Sequence, residues 1–484
     1  MANNASPPSL SFFQRLRATF IRPKTYDDVD LNQEVFLLGD EIRVPYSNGA
    51  FSCILGKQRK GKELWICPEF LLDPSLDIGT KTLIIIDPEN YFKQPSGFFR
   101  LEPGDAIVLG YGDELQQTYF HFPKNVAKKH LTIAHGGDSL VFKDLTENRG
   151  TYLTPLGDNL EEEKIVSQRM SQLAKLKEIY GGPIKMLPQQ EALETIRKIN
   201  DILDKEPSRP LDDRGKPGGL VLPPEGLAPL IIGDLHSQVG NLVKILTENH
   251  FLDALEQGLI YIILLGDAVH SEIDGEMEDM EDSILMMDFI FKLKIRFPAQ
   301  IFYLCGNHDS FSKDVSKTGI PQGILWERQI RKLRGEQYKA EFDRLYLHLP
   351  YVVRSDKFIV CHAAPPKAKV TQELLINTYR YPGLVKELIW NRLRRPGYPA
   401  GYTKMDVARF RKNLNVPPET PFIVAHNPLS EDVSVWLDAG DIKDHHIVFS
   451  GRTNQISIFF QIRGKMVPFV YSVEPKIMDM LDKM

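Results

Sequence analysis

From Val35 to Leu153 short apolar runs are punctuated by Gly, Pro and Asp. The runs at 82–86, 106–109, 131–133 and 140–142 predict short strands at the spacing of a β-sandwich. The texture then changes. Residues 160–180 and 189–205 carry helix formers, spaced apolar positions and no internal proline, so both predict helices. Residues 206–229 are rich in Pro and Gly and predict a linker or an extended lead-in. Compact apolar runs return at 230–232, 261–265, 300–304, 358–361 and 422–425, with helical patterns such as 240–249 and 282–295 between most of them. Buried strands joined by crossover helices predict an α/β layered domain. The stretch 447–471 reads again as strands, and residues 1–30 read as a flexible tail. The expected division is a tail over 1–30, an all-β sandwich over 31–155, a helical and Pro/Gly-rich linker over 156–228, and an α/β domain over 229–478.

Composition narrows the classes. A chain of 484 residues exceeds one ordinary domain and allows two or three with sizeable cores. The net charge of −5 argues against a general nucleic-acid binder, so no nucleic-acid partner is expected. Charge is locally uneven. Arg15, Arg17, Arg22 and Lys24 precede the first acid, Asp27, and acids crowd residues 272–282. The four cysteines, Cys53, Cys67, Cys305 and Cys361, form no CxxC pair, which fits the cytoplasm or another reducing compartment. No run approaches the length of a membrane span. Residues 10–21 are amphipathic and lack a small-residue cleavage site, so they are not read as a secretory signal.

The chemistry lies at the ends of the apolar runs in the second half. They are followed in turn by Gly233-Asp234-Leu235-His236, by Gly266-Asp267, by Gly306-Asn307-His308-Asp309, by His362 and by His426. In open α/β sheets sites form beyond the carboxyl ends of strands, so these clusters are expected to converge. Asp and His offer oxygen and nitrogen ligands, a set that suits manganese, iron or zinc better than magnesium or calcium. A carboxylate such as Asp267 can bridge two cations, which together acidify a water and neutralise phosphate oxygens. Each element alone is weak, and a lone His after a strand is more often structural. The ordered set is strong.

This order, GDLH, GD, GNHD, H, H, resembles the phosphoprotein phosphatase family within the metallophosphoesterases, written there as GDxHG, GDxVDRG, GNHE, H and H. The likeness runs from Leu230 to Tyr471 and includes Ile389-Trp390-Asn391-Arg392 and Val448-Phe449-Ser450-Gly451. It implies a β-sandwich core flanked by helices and two divalent ions, manganese first, with iron or zinc as alternatives. Asp234, His236 and Asp267 would hold one ion, and Asp267, Asn307, His362 and His426 the other. His308 would protonate the leaving alkoxide, Arg392 would grip phosphate, and His270 and Asp309 would stand behind the ligands. The implied reaction is in-line attack by a metal-bridging hydroxide, without a phosphoenzyme. Three positions depart from the pattern. His270 stands where the family has an Asp that orients the acid histidine, Ser271 replaces a phosphate-contacting Arg, and Ser237 replaces a Gly. None removes a ligand. Glu272 or Asp274 is the candidate to orient His308 instead, and His270 can supply positive charge where arginine is missing.

In the first half, Leu101–Gly110, Val126–Ile133 and Asp144–Leu153 resemble the forkhead-associated (FHA) fold, a sandwich that reads phosphothreonine. His130, Asp144, Leu145, Gly150 and Thr151 match its architectural residues. Its phosphopeptide readers are replaced by Tyr111, Ala127, Lys128 and Arg149. Lys128 and Arg149 leave an anion site open as an alternative to a bare interaction or spacer module, the favoured reading. The expected function is a metal-dependent phosphomonoesterase, a protein serine/threonine phosphatase acting on a phosphorylated protein or peptide, with a partner protein docked through the FHA-like domain. Alternatives are a dinucleoside polyphosphate or other small phosphoester hydrolase, and a phosphorylation-linked adaptor with an inactive phosphatase fold.

Overall fold

The computed structural model describes residues 34–47, 49–57, 60–72, 76, 79–156, 162–363, 365–396, 398–473 and 477–483. The tail expected over 1–30 lies outside the described residues. The chain is mixed α/β and divides into two units, Met1–Gln172 with Thr247–Phe251, and Leu173–Leu246 with Leu252–Met484. Among the described residues no helix is long and apolar enough to cross a membrane.

In the first unit the alternating runs become β1 (Val35–Leu37), β2 (Glu41–Pro45), β3 (Phe51–Leu55), β4 (Lys62–Pro68), β5 (Leu83–Ile86), β6 (Phe98–Leu101), β7 (Ala106–Leu109), β8 (Leu131–His135), β9 (Ser139–Asp144) and β10 (Thr151–Pro155). They form a six-stranded sheet, β1-β10-β3-β4-β5-β6, and a four-stranded sheet, β2-β9-β8-β7. Side chains alternate across each strand, as in the buried Leu131, Ile133 and His135 of β8. The inner faces meet where Phe51 packs edge-on against Phe142, ring centres 6.1 Å apart.

One polar knot fastens an end of this unit. The buried Asp144 carboxylate accepts from Thr151 Oγ1 at 2.6 Å, from Thr146 Oγ1 and N at 2.7 Å each, and from Gly39 N at 3.2 Å. His130, fully buried, holds the next loop. Its Nδ1 accepts from Ala127 N at 2.9 Å, so Nε2 carries the proton that reaches the Gly150 carbonyl at 2.8 Å. Leu145 differs from its architectural expectation, since it is 39 % exposed. Asp144→Ala would strand several donors in an apolar interior. The expected cost is about 3 kcal/mol, read as a lower urea midpoint of this unit.

The second unit contains β11 (Leu220–Val221), β12 (Ala228–Ile232), β13 (Ile260–Leu264), β14 (Ile301–Tyr303), β15 (Val352–Arg354), β16 (Ile359–Cys361), β17 (Phe422–Val424), β18 (Val435–Trp436), β19 (His445–Val448), β20 (Gln455–Ile462) and β21 (Lys465–Ser472). The sheets run β14-β13-β12-β20-β21 and β11-β15-β16-β17-β19-β18. Strands β12, β13 and β14 are mutually parallel, as are β16, β17 and β19. Alternate residues of β16 and β17 serve two cores. Ile231, Ile263, Phe302, Val360, Ile423 and Val448 pack together between the sheets, whereas Ile359, Cys361, Phe422 and Val424 face outward, onto Leu388, Val407 and Phe410. Those last three belong to helices α1 (Pro382–Trp390) and α2 (Lys404–Asn413). This arrangement leaves the carboxyl ends of β12, β13, β14, β16 and β17 to carry polar loops.

Residues 173–228, read from the sequence as linker, belong to this second compact unit. Helix Gln189–Leu203 buries Ala192, Ile196, Ile199 and Leu203 at helical spacing, and its Asn200 Nδ2 donates to the Glu341 carbonyl at 3.0 Å. The Pro/Gly stretch is fastened by buried charge. Lys294 Nζ pairs with Glu206 and donates to the Pro298 and Ile301 carbonyls at 2.8 and 2.7 Å. Arg209 Nε donates to the Gly218 carbonyl at 2.7 Å. Pro and Gly serve tight turns here, and composition alone does not separate such a strap from a free linker.

Candidate metal centre

Each strand end delivers its cluster to one buried place. Asp234 follows β12, Asp267 follows β13, Asn307 and His308 follow β14, His362 follows β16, and His426 follows β17. Ligand atoms of Asp234, His236 and Asp267 lie within 4.8 Å of one another, and so do those of Asp267, His362 and His426. Asp267 therefore belongs to both groups. The Asn307 Oδ1 joins the second, 3.0 Å from His362 Nε2.

The backbone is bent to achieve this. His236 (φ 42°), Asp267 (φ 48°), His270 (φ 68°) and His426 (φ 58°) all adopt the left-handed region, which costs a non-glycine residue about 1 kcal/mol or more. Three of the four, His236, Asp267 and His426, are candidate ligands, so the fold carries backbone strain here. The strained Asp267 is held by its own contacts. Its carbonyl accepts from Leu235 N and His236 N at 3.1 and 3.0 Å, and its Oδ1 accepts from His308 N at 2.7 Å. Gly306 passes so close that a Cβ there would sit 2.1 Å from Asp267 Oδ1.

The imidazoles are oriented from behind. His362 Nδ1 donates to the Leu265 carbonyl at 2.8 Å, and His236 Nδ1 donates to the His270 carbonyl at 3.0 Å. Each bond aims Nε2 toward the carboxylates. His362 Nε2 stands 3.3 Å from Asp267 Oδ2, and His236 Nε2 stands 3.9 Å from Asp234 Oδ2. A ligating histidine whose other nitrogen donates to a carbonyl is the usual metal-site arrangement. Among the described residues, Asp234 Oδ1 and His426 Nε2 are buried without a hydrogen-bond partner. Buried polar atoms left in this way ask for a ligand.

Electrostatics point the same way. Burial pushes the Asp234 carboxyl up to about 7, and the neighbouring Asp267 charge adds to the shift. Burial also disfavours charge on Asp267, yet His362 and then His308 hold it well below the usual carboxylate range. Burial opposes protonation of His362, but Asp267 and Asp234 raise it to about 9. The carboxylates thus draw positive charge to the point between them. A cluster of this donor chemistry fits divalent metal ions.

The residues behind the ligands fall where their chemistry is useful. Asp309 is buried. It accepts from Gly306 N at 2.8 Å, Asp267 N at 3.1 Å and Tyr303 Oη at 2.5 Å, so it braces the turn that carries Asp267. His270 Nδ1 lies 3.0 Å from His308 Nδ1, with Trp326 packed edge-on against the His270 ring. Only the imidazolium of His308, with Nδ1–H donating to His270 and a second proton on Nε2, has a proton to hand over, and burial disfavours that form, lowering its pKa to about 4. Glu272 differs from its expected role of orienting His308. Its Oε1 lies 3.6 Å from His236 Nε2 and pairs with Lys317. Burial disfavours its charge, but His236 and Lys317 hold it down to about 2. Asp274 is exposed. Ser271 Oγ donates to Glu276 at 3.2 Å, turned to the acidic stretch.

Arg392 follows α1, half-buried, and its Nη1 reaches Asn427 Oδ1 at 3.5 Å, next to His426. Tyr398 stacks beneath its guanidinium at 5.4 Å. Lys317 is the charged neighbour that the sequence did not signal. It lies in a loop beyond Asp309, without motif or periodicity.

In the other unit, Lys128 and Tyr111 are exposed, whereas Arg149 is half-buried and donates to the Val126 carbonyl. Gly112 N donates to the Lys128 carbonyl at 2.9 Å and Tyr111 N to the Ala127 carbonyl at 3.1 Å. The loops that carry Tyr111, Lys128 and Arg149 therefore meet at one end of the sandwich.

No family model matches the chain. Among solved structures it is similar to a protein serine/threonine phosphatase from Saccharomyces cerevisiae with similarity to human phosphatase PP5, at 16% identity over 59% of this chain and 90% of that chain, with a TM-score of 0.44. It is also similar to a cold-active protein-tyrosine phosphatase of a psychrophile Shewanella sp., at 12% identity over 52% of this chain and 81% of that chain, with a TM-score of 0.36.

Proposed function

We propose that this chain is a phosphoric monoester hydrolase that works with two divalent metal ions, manganese by preference, on phosphoserine or phosphothreonine in proteins. The observation that carries the reading is Asp267, a buried carboxylate shared between two groups of ligand atoms. Asp234, His236 and Asp267 would hold one ion, and Asp267, Asn307, His362 and His426 the other. Bound there, the ions would neutralise phosphate oxygens and acidify a water. The chain's own residues do the rest. Arg392 orients the phosphate from the His426 flank, and His308 gives its Nε2 proton to the leaving alkoxide. The acidic stretch at 272–282 disfavours polyanionic nucleotides as substrates.

Turnover of p-nitrophenyl phosphate with added manganese tests this reading. Its absence, with metal bound, would leave the chain an adaptor. Faster turnover of dinucleoside polyphosphates than of a phosphopeptide panel would reassign the substrate. Arg392→Ala should lower kcat/KM by roughly ten- to a hundred-fold, as expected for a lost charge-assisted contact, while metal analysis still finds both ions. Loss of metal in that variant would mean that Arg392 supports the ligands and not the substrate.

The all-β unit is proposed as an FHA-like docking module for a partner protein. The knot around Asp144 and His130 keeps its loops rigid, but Tyr111 offers no cation and Arg149 is engaged with a carbonyl. Calorimetry with phosphothreonine peptides should therefore show weak binding or none. A tight, phosphate-dependent complex would restore Lys128 and Arg149 as an anion site.

A further inference from the structure

A second cation, besides Arg392, stands at the candidate metal centre, beside His236. Lys317 ion-pairs with Glu272 Oε1, the same oxygen that lies 3.6 Å from His236 Nε2. Its backbone is fixed by a tight turn. Lys317 N donates to the Ile320 carbonyl at 3.1 Å, and Ile320 N returns a bond to the Lys317 carbonyl at 2.8 Å. Buried Val315 anchors the approach to this turn, and Thr318 Oγ1 reaches Met277 Sδ at 3.5 Å, tying it to the acidic stretch. The Lys317 and Glu272 side chains keep 34% and 27% of their surface exposed, so both can reach water and a ligand. Among the described residues Glu272 is not one of those whose ligand atoms gather within 4.8 Å around Asp234 and Asp267. It therefore acts on Lys317 and His236 from outside the cluster.

We propose that Lys317 binds the substrate's phosphate, and that Glu272 holds its ammonium beside His236 until a phosphate oxygen takes the carboxylate's place. This rests on the phosphomonoesterase reading above. An unpaired carboxylate at that position would repel a phosphate dianion, and an unpaired ammonium would be free to swing on its flexible stem. Paired, they keep the charge in place at no net cost to the local potential. Ser271 turns to Glu276 and brings no charge, whereas Lys317 places a cation beside His236, as Arg392 does near His426.

Calorimetry of the full-length, manganese-loaded protein with inorganic phosphate tests the proposal, with metal content measured alongside. Lys317→Ala should weaken phosphate binding on the order of ten-fold with bound manganese unchanged, and Lys317→Arg should recover most of the loss. Glu272→Gln removes the competing charge while its amide oxygen still accepts from the ammonium, and should tighten binding about three-fold. With p-nitrophenyl phosphate, Lys317→Ala should raise KM more than it lowers kcat. An unchanged phosphate affinity in Lys317→Ala, a loss of manganese with it, or no phosphate binding by the unaltered protein would each overturn the assignment. If phosphate binds, weakens in Lys317→Ala, and no monoester is hydrolysed, the Lys317 assignment stands and the hydrolase reading falls. If hydrolysis is strong and Lys317→Ala changes neither affinity nor KM, the reverse holds.

Discussion

Asp267→Ala should yield a folded protein that retains little manganese and hydrolyses essentially no phosphomonoester. The expectation follows from the place of this carboxylate in both groups of ligand atoms. Losing a residue that merely supports a ligand costs about ten- to a hundred-fold in metal affinity, so losing a shared ligand should cost more than about a hundred-fold. Turnover should fall by roughly a thousand-fold or more, since metal ions contribute several kcal/mol and each tenfold is about 1.4 kcal/mol. Folding has less to lose. The β13 strand remains fully buried, and Asp267 sits just beyond its end. Metal analysis and a thermal melt on the same sample separate the effects. Full metal content with full turnover would dismiss the shared-ligand assignment.

His308→Ala should separate substrates by their leaving groups. An alkoxide needs a proton as it departs, and a nitrophenolate does not. Removing a general acid typically costs about a hundred- to ten-thousand-fold, so turnover of phosphoserine peptides should drop by that order. Turnover of p-nitrophenyl phosphate should drop by less than about ten-fold, because its leaving group needs little help. Manganese should stay bound, since His308 is not one of the proposed ligands and its hydrogen bond to Asp267 comes from the backbone N–H, which alanine keeps. The companion change is His270→Asp. At present the two rings share one N–H···N contact at 3.0 Å. A carboxylate there would accept from His308 Nδ1 and orient the ring, so alkyl phosphates should gain more than aryl phosphates. Equal losses on both substrate types would give His270 a separate role, in packing against Trp326 or in holding phosphate.

Much of the candidate site was legible because strand ends are local in sequence. An apolar run followed by Gly-Asp, Gly-Asn-His-Asp or a single His names both the buried strand and the polar group at its end. The parallel pairing of β12 with β13 and β14, and of β16 with β17, then brings those ends side by side. The replacement of a family carboxylate by His270 was visible too, but not its consequence. Only the folded chain shows that His270 meets His308 ring to ring, and that Glu272 turns to Lys317 and His236 instead.

Taken alone, the sequence determined the strand-rich first half, though not its short helices Glu69–Leu72, Pro88–Tyr91 and Glu114–Phe120, the layered α/β second half, and the identity and order of the Asp, Asn and His groups at the strand ends. It did so because period-two burial and turn residues are imposed by neighbours along the chain. Tertiary structure alone decided three things. It drew residues 173–228 into the second unit, where Glu206, Arg209 and Lys294 are buried together, although the helices and the Pro/Gly-rich stretch at 206–229 read as linker. It left Leu145 exposed, although it matches an architectural position, and turned Arg149, which stands in place of a reader, onto the Val126 carbonyl. It placed the Lys317 ammonium on Glu272 beside His236, a contact between loops far apart in the chain. Such contacts depend on where a loop closes and which rotamer its packing allows, and these are properties of the assembled core and not of any run of residues.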